Sequence, residues 1–269
     1  MAKFDNNFIV LGAGSGGLIA ALVGATLKAK VTLIEKHKMG GDCLNTGCVP
    51  SKALISSAKA AHHMRNASHW GIRSVEPEVD FAAVMNRIRA AIATIEPKDS
   101  VERYTELGVN CIMGEGRILD AHRVQVGDQI ITGRNIIVAT GGSPLVPPIP
   151  GLAEAAPLTS DNVWELEALP QRLLVMGGGP IGCELAQSFA RLGSAVTLVD
   201  MADRLMPRED PDVSAHVEAI FRSEGIKICT SAKAVAVENG ALKVESMADG
   251  GTESLPFDRI LVAVGRRAH

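Results

Sequence analysis

The chain has 269 residues, of which 46% are hydrophobic, and its formal net charge is −3. That length suits two domains of ordinary size, each with its own buried core. Nucleic-acid and membrane-surface partners require a concentrated basic surface. The 27 Lys and Arg residues, set against 30 Asp and Glu residues, provide no such excess. We therefore expect a folded globular protein that binds neither nucleic acid nor a membrane.

The chain start, Met1-Ala-Lys-Phe-Asp-Asn-Asn7, has no apolar stretch with a cleavage site, so we expect no signal peptide. The most apolar helical run, Leu18 to Leu27, is too short to span a bilayer. These features predict a cytoplasmic protein. Five cysteines in such a chain argue against a framework of structural disulfides.

A complete dinucleotide-binding pattern lies at the start of the chain. The apolar run Phe8–Leu11 is typical of a buried parallel strand and leads into the turn Gly12-Ala-Gly14-Ser-Gly16-Gly17. A stretch of small and apolar residues follows, then the apolar run Val31–Ile34 and the acidic Glu35. A GxGxxG motif alone is a weak signal. Here its strand, helix and acid all stand where dinucleotide binding needs them.

The same pattern recurs at a constant offset of 165 positions (177 − 12 and 200 − 35). The repeated glycines and acid are Gly177, Gly179, Gly182 and Asp200. In each copy the first glycine permits a tight turn, the second lets the backbone approach a pyrophosphate, and the third lets helix and strand pack closely. The helix N-terminus attracts phosphate, and the acid accepts hydrogen bonds from the ribose.

For one copy alone, a glycine turn that only packs a helix on a sheet is the competing interpretation. Two copies in register favour an α/β protein made of two Rossmann-like, three-layer dinucleotide-binding domains, the FAD/NAD(P)-binding fold. A carboxylate at Asp200 repels a 2′-phosphate and favours NAD(H) over NADP(H). Arg204 and Arg208 follow closely in the sequence and could offset that preference.

Two cysteines follow the first unit closely, in Gly40-Gly-Asp-Cys43-Leu-Asn-Thr-Gly-Cys48-Val-Pro-Ser-Lys52. The proline after Cys48 suits a first helical turn, so Cys48 is expected near a helix N-terminus, where the dipole favours a thiolate. Lys52 lies four residues on, on the same helix face. The spacing lets Cys43 reach Cys48 if the chain is locally distorted. We interpret the pair as a redox-active dithiol or disulfide.

Two other interpretations of the pair stay open. One is a zinc site completed by His62, His63 or His69, although no second cysteine pair supports it. The other is two reduced, inert cysteines. The remaining cysteines lie in apolar contexts and are expected to be small buried hydrophobic residues: Cys111, Cys183 and Cys229.

The motif around Cys43 and Cys48 resembles the redox motif of the class I pyridine nucleotide-disulfide oxidoreductases, a group that includes dihydrolipoamide dehydrogenase and mercuric reductase. The resemblance covers the whole chain. It implies a flavoprotein enzyme with FAD in the first unit and NAD(P)H in the second. Electrons would pass between NAD(H), FAD and the Cys43–Cys48 disulfide.

The resemblance also assigns roles to single residues. Cys48 would face the flavin, Cys43 would exchange with substrate, and Lys52 would lie near flavin N5 and pair with Glu184. The residues implied in FAD binding are Gly12, Gly14, Gly17, Glu35, Lys52, Gly116, Thr140 and Gly141. Those implied in binding the nicotinamide dinucleotide are Gly177, Gly179, Gly182, Asp200 and Gly265.

Between the motifs, the sequence predicts a helical stretch over Asp80–Leu107 broken at Glu96-Pro97, and a helix over Asp210–Glu224. Short alternating apolar runs over Gly114–Ile131 predict a small antiparallel sheet. The proline-rich stretch Pro144–Gly151 predicts a stiff connection between two domains. We therefore expect an FAD-binding domain over residues 1–147 and an NAD(P)-binding domain over residues 148–269.

The family pattern continues beyond the Ala-Val-Gly-Arg266 sequence, whereas this chain ends at His269. By resemblance, the segment that returns to the FAD domain, the catalytic histidine and the dimer-interface domain are absent, and the parent enzyme is a homodimer. We therefore expect the chain alone to be weakly active or inactive. The expected substrate is a small-molecule or protein-bound disulfide or dithiol like lipoamide. The alternatives are Hg(II) reduction, a catalytically incomplete nucleotide-binding fragment, and a flavin oxidase or ferredoxin reductase with idle cysteines.

Overall fold

The computed structural model describes residues 4–269, which fold into two compact units. Unit 1 comprises the described chain up to Pro50, together with Arg89–Ser143 and Ala268–His269. Unit 2 comprises Ser51–Ile88 and Pro144–Arg267. None of the helices in this described part of the chain is long and apolar enough to cross a membrane.

Helices and strands alternate at the start of unit 1, and again from Arg172 onward in unit 2. The helices are α1 (Ser15–Thr26), α2 (Gly41–Asn45), α3 (Cys48–Arg65), α4 (Phe81–Ile95), α5 (Val101–Glu106), α6 (Pro180–Leu192) and α7 (Pro211–Ser223), with short 3₁₀ helices at Ala67–Trp70, Glu96–Asp99 and Val163–Glu165. The strands are β1 (Asn6–Leu11), β2 (Val31–Glu35), β3 (Val109–Met113), β4 (Gly116–Asp120), β5 (Arg123–Val126), β6 (Gln129–Val138), β7 (Gly142–Pro144), β8 (Arg172–Met176), β9 (Ala195–Val199), β10 (Lys227–Cys229), β11 (Ala232–Glu238), β12 (Ala241–Ser246), β13 (Thr252–Pro256), β14 (Arg259–Val262) and β15 (Arg266–Ala268).

Unit 1 is built on a sheet with strand order β3-β2-β1-β6-β5-β4. Strands β3, β2, β1 and the end of β6 run parallel, whereas β4, β5 and the start of β6 form an antiparallel meander. Side chains alternate between the two faces of β1: Val10 packs with Leu18 and Ala21 of α1. Ile9 packs on the opposite face, with Val124 from the meander. The parallel strands therefore lie between a helical layer and antiparallel strands.

Unit 2 repeats this architecture with a parallel sheet of order β10-β9-β8-β14 and a separate antiparallel sheet of order β11-β12-β13. The core between the two sheets contains Leu174 and Ile260 from the parallel strands, and Leu242 and Leu255 from the antiparallel ones. Helix α6 begins directly after the second glycine turn, with Pro180 in its first turn, and its Phe189 is fully buried.

The predicted fold class is confirmed, because each unit has the Rossmann-like arrangement of a parallel sheet between helices and antiparallel strands. The predicted break at Glu96-Pro97 is also present, as the 3₁₀ helix between α4 and α5. Helix α7 ends at Ser223, just before Gly225, which has a φ of +82°. The division into an FAD-binding domain over residues 1–147 and an NAD(P)-binding domain over residues 148–269 stays a prediction.

Candidate active site

The first glycine turn is closed by backbone packing at two of its glycines. Gly12 has a φ of +96°, and a β-carbon there would overlap the carbonyl oxygen of Ala139. A β-carbon at Gly17 would overlap the carbonyl oxygen of Gly12. The Ala139 amide in turn donates to the Leu11 carbonyl at 2.8 Å. Only glycine fits at positions 12 and 17. The close approach of the two backbone segments lets α1 pack tightly against β1.

Beside this turn lie the groups that dinucleotide binding requires. Gly14 caps α1 with no side-chain hydrogen bond, so backbone amides of the first helical turn have no side-chain acceptor there. The Glu35 carboxylate ends β2 and accepts hydrogen bonds from the amides of Ala13 and His37, each at 2.7 Å. These bonds orient the carboxylate beside the turn. The turn, the helix end and the acid therefore fit the adenosine diphosphate half of FAD.

The second turn has the same construction within unit 2. Gly177 has a φ of +108°, and a β-carbon there would overlap the carbonyl oxygen of Ala263. At Gly182 it would overlap the Gly177 carbonyl oxygen. Asp200 ends β9, and its carboxylate accepts from the amides of Gly178 and Ala202 at 2.5 and 2.7 Å. The repeat seen in the sequence is thus a repeat of backbone geometry.

A cleft of about 830 Å³ opens at this second turn, within unit 2. Gly179 lines the cleft, and a β-carbon there would have no protein atom within 4 Å. Gly265 and Asp200 also line it, together with the basic side chains of Arg208 and Lys233. An open backbone position, a helix N-terminus and a carboxylate at one cleft fit a nicotinamide dinucleotide.

The other residues expected at the FAD site lie in unit 1. Thr140 and Gly141 follow β6 and are exposed, and Gly141 has a φ of +69°. Gly116 begins β4, where a β-carbon would lie 2.7 Å from the Leu11 side chain. Close packing alone therefore accounts for glycine at position 116, and its contact with adenine stays a prediction.

The two cysteines of the motif lie together in unit 1. Cys43 is on the short helix α2 and is half-buried, whereas Cys48 begins α3 and is exposed. Both are free thiols. The Cys43 thiol hydrogen-bonds with Cys48 and with the Ser15 hydroxyl. Its pKa is raised, first by the hydrogen bond with Cys48, then by burial and by the charge of Cys48.

Lys52 and Glu184 form an ion pair within unit 2. The ammonium nitrogen of Lys52 lies 2.9 Å from Oε1 and 2.8 Å from Oε2 of Glu184. The side chains are 60% and 45% exposed. Lys52 stands on α3, one helical turn after Cys48, and Glu184 stands in the first turns of α6. Helix α3 therefore carries both Cys48 and this cation.

The remaining cysteines are less accessible. Burial raises the pKa of the Cys183 thiol to about 12, and burial also raises the pKa of Cys111 and of Cys229. Cys183 is buried as predicted, whereas Cys111 and Cys229 are only half-buried. Within residues 4–269, no group of three or more His, Cys, Asp or Glu side chains is placed to hold a metal ion.

Comparison with known proteins agrees with this geometry. The family model described as "Pyridine nucleotide-disulphide oxidoreductase" matches residues 6–269. The chain belongs to this family. The predicted resemblance is thereby confirmed, and the homologues of the chain are enzymes and FAD-binding flavoproteins.

Several relatives match nearly the whole chain. A mercuric reductase of Streptomyces lividans is 35% identical over 96% of the chain and 56% of its own length. A dihydrolipoyl dehydrogenase of Chlamydia pneumoniae is also 35% identical, with the same two coverages. The Cu(II) complex of the HOCl-induced flavoprotein disulfide reductase RclA from Escherichia coli superposes with a TM-score of 0.81 at 28% identity. That match covers 99% of the chain and 57% of RclA. The chain thus spans little more than half the length of these relatives.

Sequence reasoning missed three groups around the candidate site. Lys233 belongs to no sequence motif, and only the tertiary fold places it in the unit 2 cleft. Ser15 was not distinguished from the rest of the glycine turn, although its hydroxyl contacts Cys43. Asp99 stands far from Cys43 in sequence, yet its charge acts on that thiol. No pattern in the sequence indicates any of these three.

Proposed function

We propose that the chain carries the redox centre of an FAD-dependent NAD(P)H:disulfide oxidoreductase, with electrons passing between NAD(H), FAD and the Cys43–Cys48 disulfide. One observation supports this above the others: the Cys43 and Cys48 thiols contact each other beside a turn that fits FAD. Bound FAD would supply two-electron chemistry, as the acceptor of a hydride and the donor of an electron pair. The amides that follow Gly12 and Gly14, with Glu35, would hold its adenosine diphosphate half.

The cysteines carry out the exchange with substrate. Two electrons and two protons open the Cys43–Cys48 disulfide to two thiols. Cys43, as thiolate, attacks one sulfur of a substrate disulfide, forms a mixed disulfide and releases the first substrate thiol. Cys48 then attacks the Cys43 sulfur, releases the second thiol and restores the Cys43–Cys48 disulfide. Oxidation of a substrate dithiol follows the same steps in reverse.

Lys52 has the role of a fixed cation near the flavin. Its two contacts with Glu184 hold the ammonium group in one place. A positive charge there stabilises negative charge on a reduced cofactor. The proposed role of Lys52 and Glu184 therefore depends on the charges of the two side chains. Variants with an uncharged side chain at either position test it.

For the nicotinamide cofactor we propose NAD(H) in preference to NADP(H). Asp200 lines the unit 2 cleft, and its orientation is set by the two backbone amides that it accepts from. A carboxylate held in that way accepts ribose hydroxyls and repels a 2′-phosphate. Arg208 lines the same cleft, and its positive charge favours a 2′-phosphate. The proposed preference for NAD(H) over NADP(H) therefore depends on the charge of Asp200.

The proposed substrate is a lipoamide-like disulfide or dithiol, small or protein-bound. Hg(II) is the second candidate, because a mercuric reductase and a dihydrolipoyl dehydrogenase match the chain at the same 35% identity. Both substrates react with a thiolate, so Cys43 serves either. By the same resemblance, we propose a cytoplasmic location and a homodimeric parent enzyme.

Anaerobic reduction of the purified chain tests the proposal. We expect the visible band of oxidised flavin, its bleaching by NADH, and slow reduction of lipoamide that is lost in Cys43→Ser and Cys48→Ser. Hg(II)-dependent NADH oxidation with no response to lipoamide would select the second substrate. A colourless protein that still binds NADH would instead identify a catalytically incomplete nucleotide-binding fragment. Unchanged turnover in Cys48→Ser would favour a flavin oxidase or ferredoxin reductase with idle cysteines.

A further inference from the structure

Arg87 is a cation of α4 that binds the first turns of α3, within unit 2. Its guanidinium donates to the Ala53 carbonyl oxygen at 2.7 Å. It also donates to the hydroxyls of Ser57 and Ser56, at 3.4 and 3.3 Å. A charged donor makes a strong hydrogen bond, and a planar guanidinium can hold several acceptors in one geometry. Because Ala53 directly follows Lys52, Arg87 holds the turn of α3 that carries Lys52.

Helix α4 is itself fixed against α6, the helix that carries the partner of Lys52. Phe81 at the start of α4 is buried, and its ring centroid lies 6.1 Å from that of Phe189 on α6. Glu184, which binds the Lys52 ammonium group, stands seven to eight ångströms or so along the same helix, five residues earlier at ~1.5 Å per residue. Three contacts thus join the three helices: α3 with α6, α4 with α6, and α4 with α3.

The Lys52–Glu184 contact alone does not fix the place of the ammonium group. Both side chains are more than a third exposed, and an exposed ion pair is weak because holding two long side chains in one geometry costs entropy. The lysine side chain also moves with its backbone. A firmly held backbone turn at Lys52 therefore limits where its ammonium group can go.

We propose that Arg87 is a positioning residue for Lys52, which holds the α3 turn so that the ammonium group stays at the Glu184 carboxylate. This inference rests on the proposed function, since it takes from there the role of Lys52 as a fixed cation near the flavin. Arg87 acts through Lys52 and not on the cofactor. Loss of Arg87 should therefore matter only while Lys52 is present.

A double-variant cycle on flavin bleaching by NADH tests the functional part of this inference. Arg87→Gln should slow bleaching by about threefold to tenfold, because even a small displacement of a positioned group is costly. In a Lys52→Met background the same substitution should have no further effect. Arg87→Lys keeps a cation for the Ala53 carbonyl and should restore the rate to within about twofold of wild type. Equal slowing by Arg87→Gln in both backgrounds would overturn the inference, since the effect would not pass through Lys52.

Acetylation of Lys52 gives a second measurement that needs neither flavin nor NADH. Trace labelling of the full chain with acetic anhydride, followed by peptide mass spectrometry, reports how freely the Lys52 amine reacts. Glu184→Gln removes the partner charge and provides the reference for a released lysine. Arg87→Gln should raise the labelling rate of Lys52 towards that reference, by about twofold to fivefold. Unchanged labelling in Arg87→Gln would show that Arg87 does not hold Lys52 in place.

Arg222→Gln is the matched control, because it removes another exposed arginine of unit 2, one that lies 3.6 Å from Glu218 on its own helix α7. It should leave bleaching and labelling unchanged, and an effect equal to that of Arg87→Gln would refute the inference.

If Arg87→Gln does not fold, the double variant Ser56→Ala/Ser57→Ala decides. It removes two acceptors of the guanidinium, and alanine keeps α3 helical. Labelling of Lys52 should rise in this variant, and an unchanged rate would contradict the inference. Labelling as expected, in a chain that is colourless or whose flavin NADH does not bleach, would count against the proposed function alone.

Discussion

The ammonium nitrogen of Lys52 lies almost midway between the two carboxylate oxygens of Glu184, at 2.9 and 2.8 Å. Both side chains are more than a third exposed, so this pair contributes little to the stability of the fold. Its geometry is nevertheless that of a held cation, on the helix that begins with Cys48. Because the pair adds little to the stability of the fold and yet has a well-defined geometry, we infer that its role lies in the reaction.

Glu184→Gln should therefore slow the bleaching of bound flavin by NADH by about tenfold or more, because Lys52 loses the charge that fixes it. The free energy of unfolding should change by less than about 1 kcal/mol. Stopped-flow absorbance and urea unfolding measure the two effects. Glu253→Gln is the control, since it removes one partner of the similarly exposed Lys227–Glu253 pair. If both variants slow flavin bleaching equally, the role of Glu184 is not specific.

Gly17→Ala should destabilise unit 1 and abolish its retention of FAD. The added β-carbon would overlap the Gly12 carbonyl oxygen, and neither backbone segment can give way without moving α1 from β1. We expect a loss of about 2 kcal/mol or more in the free energy of unfolding. Gly16→Ala is the matched control, because its β-carbon would meet the Ala139 side chain at an ordinary 3.9 Å. That variant should keep both stability and flavin.

Burial of Cys183 should make stability depend on pH in the alkaline range. Its pKa is raised from 9.0 to about 12, so the folded state keeps the proton that the unfolded chain releases first. The stabilisation is complete below pH 9 and is lost as pH rises towards 12. Between pH 8 and about 10.5, wild type should lose about 2 kcal/mol more than Cys183→Ala.

Urea unfolding at the two pH values measures this difference. Cys229→Ala is the control, since its thiol is only half-buried and should contribute a shallower dependence. Equal slopes for wild type and Cys183→Ala would show that Cys183 is solvated or already ionised in the folded state.

Local patterns predict the two dinucleotide turns because each turn is determined by adjacent residues. A strand, three glycines and a helix start within a few positions, and backbone contact between Gly12 and Gly17 follows from that spacing. The same holds for Gly177 and Gly182. Helix α6 begins at Pro180, directly after the second glycine turn, because proline suits a first helical turn.

Long-range packing explains what sequence reasoning did not find. The segment Ser51–Ile88 groups with the second dinucleotide unit, through contacts such as that between the Phe81 and Phe189 rings, 6.1 Å apart. Arg65 likewise donates to the Arg191 carbonyl oxygen at 2.5 Å. These partners are more than a hundred positions apart and share no motif. The sequence does not indicate Asp99 for the same reason, since its effect on the pKa of Cys43 arises only in the tertiary structure.

Asp200→Asn should shift cofactor preference towards the phosphorylated nucleotide. The variant keeps the size of the side chain but removes the charge that repels a 2′-phosphate, whereas Arg208 stays in the cleft. Because Asp200 also accepts from the amides of Gly178 and Ala202, both nucleotides should bind more weakly, and the ratio of their affinities is the informative quantity. We expect the NADPH-to-NADH affinity ratio to rise by about tenfold.

Calorimetric titration measures both affinities. Asp203→Asn is the matched control, because it removes a charge from an exposed position three residues away and should leave the ratio unchanged. A ratio unaffected by Asp200→Asn would place the nucleotide preference in other residues of the cleft.

Gly179→Ala separates a ligand site from a turn that only packs a helix. A β-carbon at Gly179 meets no protein atom within 4 Å, and the backbone φ of −77° suits alanine. The free energy of unfolding should therefore change by no more than about 0.5 kcal/mol. The same β-carbon points into the space where a pyrophosphate would approach the backbone, so NADH affinity should fall by tenfold or more. Gly182→Ala is the contrasting variant, since its overlap with the Gly177 carbonyl oxygen should unfold the turn itself. Unaltered NADH binding in a stable Gly179→Ala protein would mean that this glycine turn serves packing and not the dinucleotide.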